Sequence, residues 1–420
     1  MHLTPEQQDL GRRNFRRALA GTRAGAILDG ATLPRGSLTG GPVRLGYVGV
    51  GVQGRNVLNR TDPAFGEPRA LCDVNPAQLA KANEVLARSS RPAPPHYADW
   101  REMLQKEDIE GVVIATPLST HAEITAGCLE AGKHVLCEKM MAWDEAGCER
   151  MAQAAVKAGR VLEIGYQRHY NRIYEAAYHG VVKAGVLGDV YHARLVWHRN
   201  ADWRRSEAPP SPDYDPSRWG YPTFEHLVNW RLYWDYSQGL MAELGSHMVN
   251  VANWYFGAAP QAVQASGGVE RHKDGGREVP DHVYATFEYP QDRTVMFSSI
   301  ESNALEGHYE AFLGTRATLI LTDEREAYLF EEGERGSALA AALEADGDGT
   351  NGRPPAAQES RSETAPAFGG GEPYRVEVAR FCLAVRTGQP VACGAGEAAH
   401  SARACIRANQ SLLQKKRLAV

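Results

Sequence analysis

Three groups of residues have the types and the spacing to do chemistry. The first is the run Val43-Arg-Leu-Gly-Tyr-Val-Gly49-Val-Gly51-Val-Gln-Gly54, apolar and ending in glycines at G-x-G-x-x-G spacing. Gly49 permits a tight strand-to-helix turn, Gly51 lets backbone approach a pyrophosphate, and Gly54 lets helix pack on strand. Val52 and Gln53 lie within this cradle, where a helix N-terminus offers free N–H groups to an anion. Among 42 glycines the pattern alone is weak. Context comes from Asp73, which closes a second short apolar strand about 20 residues further on, where a carboxylate reaches the ribose hydroxyls of a dinucleotide. An acid there favours NAD over NADP, whose 2'-phosphate would meet a like charge. Asp73 equally suits a cap on the helix that begins at Pro76.

The second group is a lysine and a histidine far apart in sequence. Lys139 ends an apolar strand beside Glu138, on the ligand side of the cradle, where an ammonium can donate to a substrate oxygen; the plain alternative is a surface lysine paired with Glu138. Glu243 and His247 are one helical turn apart and share a face. A carboxylate beside an imidazole orients it and raises its basicity, as a proton-abstracting base needs, although such pairs also occur on solvated faces. A Glu/His pair could ligate metal, but no third or fourth ligand at suitable spacing presents itself, so no metal is expected. The third group, Tyr166, Arg168, His169, Trp230, Arg231 and Tyr233, mixes aromatic faces with charged donors, which suits a polyhydroxylated ligand or, more plainly, a packed loop.

These groups need a scaffold. From Val43 to Gly165 strand and helix patterns alternate, the arrangement of a parallel sheet with ligands at the carboxyl ends of its strands, and Thr116, Pro117, Glu138 and Lys139 fall at such ends. Beyond Gly165 the runs 189–198, 279–289 and 294–301 alternate apolar and polar, with further strand-like runs to residue 331, which predicts a second domain on an antiparallel sheet. A loop rich in Pro, Trp and Tyr at 203–236 leads into a helix over 238–256. The segment 333–371 is poor in large apolar residues and reads as a mobile low-complexity insert, followed by two helices over 373–387 and 394–416 that pack back on the body.

At 420 residues with a net charge of −5, the chain has room for two cores and no basic excess to draw nucleic acid. No apolar run reaches the roughly 18 to 20 residues of a membrane helix. Seven scattered cysteines without C-x-x-C pairing read as buried thiols. Near the start, Gly11-Arg12-Arg13-Asn14-Phe15 resembles a twin-arginine export signal, but the stretch after it is short, mildly apolar and broken by Arg23. Thr4, Pro5 and Gln7 fit a capped helix start instead. Cytoplasmic residence, with residues 1–40 as a retained arm lying on a neighbouring surface, is therefore expected over periplasmic export.

Together, Gly49-x-Gly51-x-x-Gly54, Asp73, Val113-Ile-Ala-Thr-Pro117-x-x-x-His121, Leu129 through Glu138-Lys139, and Glu243-x-x-x-His247 resemble the glucose-fructose oxidoreductase / inositol dehydrogenase (Gfo/Idh/MocA) family. The resemblance runs from about Val43 to Phe330 and implies a Rossmann domain, here 41–165, followed by a domain on a large open antiparallel sheet, here 166–332; residues 372–420 are the helices read above as returning to the body. It implies NAD(P)-dependent chemistry on sugars, cyclitols and related polyols, in a homodimer or homotetramer. Lys139 then matches the lysine of a Glu-Lys-Pro motif, Glu138 lies near the nicotinamide, His247 is the acid/base, and Thr116, Pro117 and His121 line the ribose and nicotinamide side. Two departures stand out. Met140 replaces the motif's proline, leaving the backbone after Lys139 less constrained. Glu243 stands where aspartate is common, which suggests an orienting role toward His247. Three readings follow: a sugar or polyol dehydrogenase, a redox-neutral glycoside-cleaving enzyme working through a 3-keto intermediate, and a non-catalytic nucleotide sensor.

Overall fold

The computed structural model describes residues 3–30, 38–333 and 372–420. Apart from Gly333, the expected mobile insert lies outside them.

Six strands form the first sheet: β1 (Val43–Val48), β2 (Gly66–Cys72), β3 (His96–Tyr97), β4 (Gly111–Ile114), β5 (His134–Glu138) and β6 (Leu162–Gly165). All pair in parallel, in the order β3-β2-β1-β4-β5-β6. Helices cover both faces, so β4 and β6 are buried at every position; β4 is a continuous apolar run rather than an alternating one, and β6 buries Glu163 as well. The strand order reverses between β1 and β4, which opens a crevice at the carboxyl ends of those strands.

Eight strands form the second sheet: β7 (Val190–His198), β8 (Ala262–Gly268), β9 (His282–Tyr289), β10 (Arg293–Ile300), β11 (His308–Gly314), β12 (Ala317–Thr322), β13 (Glu326–Glu331) and β14 (Leu418–Ala419). Their order is β13-β12-β11-β7-β10-β9-β8-β14. One pair departs from the antiparallel expectation, because β7 and β10 run in parallel from Thr294↔His192 to Ile300↔His198. Parallel neighbours need a long crossover. Here that crossover carries the aromatic loop and the helix Ser246–Phe256, the elements that reach the crevice.

The chain ends tie the sheets together. The helix Glu372–Thr387 packs on the first sheet, where Arg386 pairs with Glu110 at 2.7 Å. The helix Ala395–Gln414 lies against Ser246–Phe256, and the last residues add β14 beside β8, a strand no sequence pattern suggested. At the other end Thr4 and Gln7 close the expected capping box on the helix Pro5–Leu19. That helix packs on this chain's own β13: a Cβ at Gly11 would meet Tyr328 Cβ at 2.7 Å, and Asn14 donates to the Leu329 carbonyl at 3.1 Å. Arg12, of the Arg12-Arg13 pair, binds Glu326 at 3.0 Å. All seven cysteines are buried and unpaired. Among the described residues no helix is long and apolar enough to cross a membrane.

Candidate active site

The crevice continues into a cavity of about 730 Å³ that runs from Gly49 and Asp73 past Lys139 to Trp230 and His247. At its first end the glycines behave as their spacing requires. Gly49 has φ +82°, and a Cβ there would meet the Ala115 carbonyl oxygen at 2.6 Å. A Cβ on Gly54 would fall 2.0 Å from the Gly49 carbonyl oxygen, so only glycine lets the helix Val52–Arg60 sit this close to the turn. Gly51 has nothing within 4 Å of its Cβ position, which leaves the backbone open to a ligand. Asp73 accepts from Val50 N at 2.9 Å and from Asn75 N at 2.8 Å, locking the turn to the end of β2. The helix after β2 is capped by Asn75 and not by Asp73, so the carboxylate of Asp73 remains a wall of the cavity. Burial pushes its pKa up to about 6 against those two hydrogen bonds.

Above the cradle, β4 and β5 deliver Thr116, Pro117, His121, Glu138 and Lys139 to the same cavity. His121 is spent as a brace, with Nδ1 3.0 Å from the Met140 carbonyl and Nε2 3.0 Å from that of Thr116. Gln53 donates to Glu138 Oε1 at 2.6 Å. The Lys139–Met140 peptide is cis. The Lys139 ammonium is not paired with Glu138; its Nζ donates to the carbonyls of Glu243 at 3.0 Å and Ala242 at 3.3 Å. Those carbonyls belong to a wide π-turn, Met241–Gly245, at the head of the helix that bears His247. The sheet edge and the later helix therefore meet through Lys139.

His247 lines the cavity with its Nδ1 buried and without a hydrogen bond, which leaves Nε2 as the accessible nitrogen. Burial first, then the charges of Lys139 and Arg168, hold its pKa well below the usual histidine value, so the ring is neutral and can accept a proton. Glu243 does not orient it. The Glu243 carboxylate accepts from Arg231 Nε at 2.8 Å, and it sits in the π-turn, whose wider winding departs from regular helical spacing.

Trp230 and Arg231 are in the cavity wall, with the guanidinium 4.3 Å over the Trp230 ring. The rest of the third group is elsewhere. Arg168 is fully buried between Glu310 and Glu324, because a cation in a dry core must be paired. Tyr166 is buried behind His247, with its ring edge-on at 6.3 Å. His169 bonds Asn250 at 2.8 Å, and Tyr233 stacks on His226 at 4.2 Å. These four are supports and not cavity wall, contrary to the substrate reading of Tyr166 and Arg168.

Residues 43–166 match the family described as "Oxidoreductase family, NAD-binding Rossmann fold", and residues 180–420 match its "C-terminal alpha/beta domain". The chain belongs to the Gfo/Idh/MocA oxidoreductase family. Among Gfo/Idh/MocA relatives, an inositol 2-dehydrogenase of Salmonella paratyphi B is 28% identical over 202 residues, 46% of this chain and 56% of that protein. A protein of Shewanella sp. (strain ANA-3) named "Glycosyl hydrolase family 109 protein 1" is 27% identical over 218 residues, 50% of this chain and 43% of its own. The chain thus spans about half the length of the curated relatives it matches. The scyllo-inositol dehydrogenase of Lactobacillus casei, solved with NAD(H) and scyllo-inositol, superposes with a TM-score of 0.64 at 18% identity, covering 90% of this chain and 99% of that one. At that identity the likeness concerns the fold.

Several wall residues escaped sequence reasoning. Arg199, Arg205, Glu207 and Tyr221 come from the crossover loop or its edge, and Tyr374 from the helix Glu372–Thr387. The density of Trp, Tyr and Pro marked the loop as unusual, but not which of its charges face inward. For Tyr374 no sequence signal existed.

Proposed function

We propose that the chain is an NAD-dependent oxidoreductase acting at a hydroxyl carbon of a sugar, cyclitol or glycoside. The observation that carries this reading is the meeting of the Lys139 ammonium and a neutral His247 over a cavity continuous with the glycine cradle. Gly49, Gly51, Val52, Gln53 and Gly54 would hold the pyrophosphate side of the cofactor. Asp73 would take the ribose hydroxyls, with Thr116, Pro117 and Glu138 toward the nicotinamide. When bound, that nicotinamide accepts or returns a hydride.

The chain's own residues do the rest. Lys139 donates from Nζ to the substrate oxygen and stabilises the charge that grows there. His247 takes the hydroxyl proton at Nε2 and returns it in the reverse direction. Glu243 fixes Arg231, and Trp230 beneath it offers a face to the C–H side of a ring. His247→Ala is expected to lower kcat by roughly 10²- to 10⁴-fold. The Kd for NAD should stay within about twofold, since the imidazole is remote from the cradle; a fully active variant would refute the role.

The name of the Shewanella relative favours a second reading, cleavage of a glycoside through transient oxidation and re-reduction. A glycoside cleaved with no net NADH at 340 nm supports that cycle, and stoichiometric NADH excludes it. We also place the pairing surface of a homodimer or homotetramer on the outer face of the second sheet, where Tyr284 and Met296 stand exposed.

A further inference from the structure

At the substrate end of the cavity, positive charge outruns its partners. Lys139, Arg199, Arg205 and Arg231 all reach the wall. Arg231 is matched by Glu243 at 2.8 Å. Arg199 binds Glu301 at 2.8 Å, but that carboxylate also holds Arg277 at 2.5 Å, and Arg199 Nε is buried with no hydrogen bond. Lys139 shares the Glu243 charge with Arg231, and its Nζ itself rests on two neutral carbonyls.

Arg205 is the clearest case. Its backbone is clamped by the buried side chain of Asn229, which accepts from Arg205 N at 2.6 Å and donates to its carbonyl at 3.0 Å. The guanidinium nevertheless has no carboxylate within ion-pair distance among the described residues. Glu207, two residues on, is turned to Gln78 at 2.9 Å and Lys81 at 3.7 Å. A position held this firmly presents a cation to the cavity with no ion-pair partner among the described residues. Partial burial and the charge of Arg231 press on it, Glu207 and Glu243 oppose them from beyond contact distance, and a bound anion in contact with the guanidinium adds what they lack.

A neutral polyol brings no charge to this wall, whereas a guanidinium takes the two oxygens of a carboxylate or phosphate in parallel. We propose that the substrate carries an anionic group, a carboxylate or a phosphate ester, beside the hydroxyl carbon that reacts, and that Arg205 receives it with Arg199. This rests on the oxidoreductase reading and names its substrate class. The other anion able to meet Arg205 is the cofactor's own pyrophosphate, so the test separates the two.

The holoprotein, saturated with NAD, is titrated calorimetrically with matched pairs: glucuronate and glucose 6-phosphate against glucose, galacturonate against galactose. At least one charged sugar should bind roughly tenfold or more tightly than its neutral partner. The gap should shrink as salt rises. Arg205→Met should abolish it while the Kd for NAD stays within about twofold, and Arg205→Lys, which keeps the charge, should retain part of it. Neutral sugars binding as tightly, no charged sugar binding, or an Arg205→Met variant that weakens NAD while leaving the gap intact would overturn the proposal. Neutral sugars oxidised at 340 nm with no gap sink this inference and leave the enzyme reading standing. Charged sugars that bind without any redox change do the reverse.

Discussion

Glutamine at position 243 keeps the shape of the glutamate and deletes its charge, which tests what that carboxylate is for. Glu243 is 14% exposed and its partner Arg231 22%, so the pair is largely dry. Burial alone would raise the Glu243 pKa; Arg231 first and Lys139 next overcome it and hold the group at about 2, against an ordinary 4.5. At about 1.36 kcal/mol per pH unit between the two values, the ionised carboxylate with its surrounding cations contributes about 3 kcal/mol to folding at neutral pH. The sign follows from the depression: the contribution is whole above about 4.5 and disappears as pH falls toward 2. Urea unfolding of the parent and of Glu243→Gln should therefore differ by about 3 kcal/mol at pH 7 and by roughly half of that at pH 3. A difference that does not change with pH, or one below about 0.5 kcal/mol at pH 7, refutes the pairing argument. Kinetics decide the rest. Because Glu243 makes no bond to His247, kcat at saturating substrate should fall by less than about tenfold, and a larger fall restores the orienting role.

Two further outcomes are expected. Asp73, at about 6, must be ionised to accept both ribose hydroxyls, so proton binding competes with NAD. The Kd for NAD should be flat above pH 7 and rise by up to about tenfold per pH unit below 6, a dependence Asp73→Asn should flatten. Arg168→Met leaves Glu310 buried and unpaired and should cost about 3 to 5 kcal/mol of stability while KM stays within about twofold; a raised KM at unchanged stability would return Arg168 to the substrate site.

Local rules carried the cradle. Gly49 is legible because its φ of +82° is a turn conformation that favours glycine, and Gly54 because a Cβ there would strike the Gly49 carbonyl; both constraints belong to the turn itself. The strand ends bearing Thr116 and Lys139, and the capping box at Thr4, are equally local. Partnerships were not. The pairing of Glu243 with His247 assumed regular helical stacking, and a single π-turn redirected it to Arg231. Arg168 and Tyr166 had the right chemistry for a sugar, but they follow a buried strand and are enclosed by β11 and by the helix Ser246–Phe256.

From the sequence alone came the NAD-type cradle, the two-sheet plan, and the choice of Lys139 and His247 as the chemical pair. Tertiary structure alone decided that Lys139 rests on the carbonyls of the turn leading into the helix carrying His247, that the N-terminal helix covers its own β13, and that Arg205 lines the cavity with no ion-pair partner among the described residues. Backbone geometry is set within a few residues, where glycine, proline and capping side chains act. The partner of a charge is set by whichever distant element packing brings within a few ångströms, and no short stretch of sequence contains that.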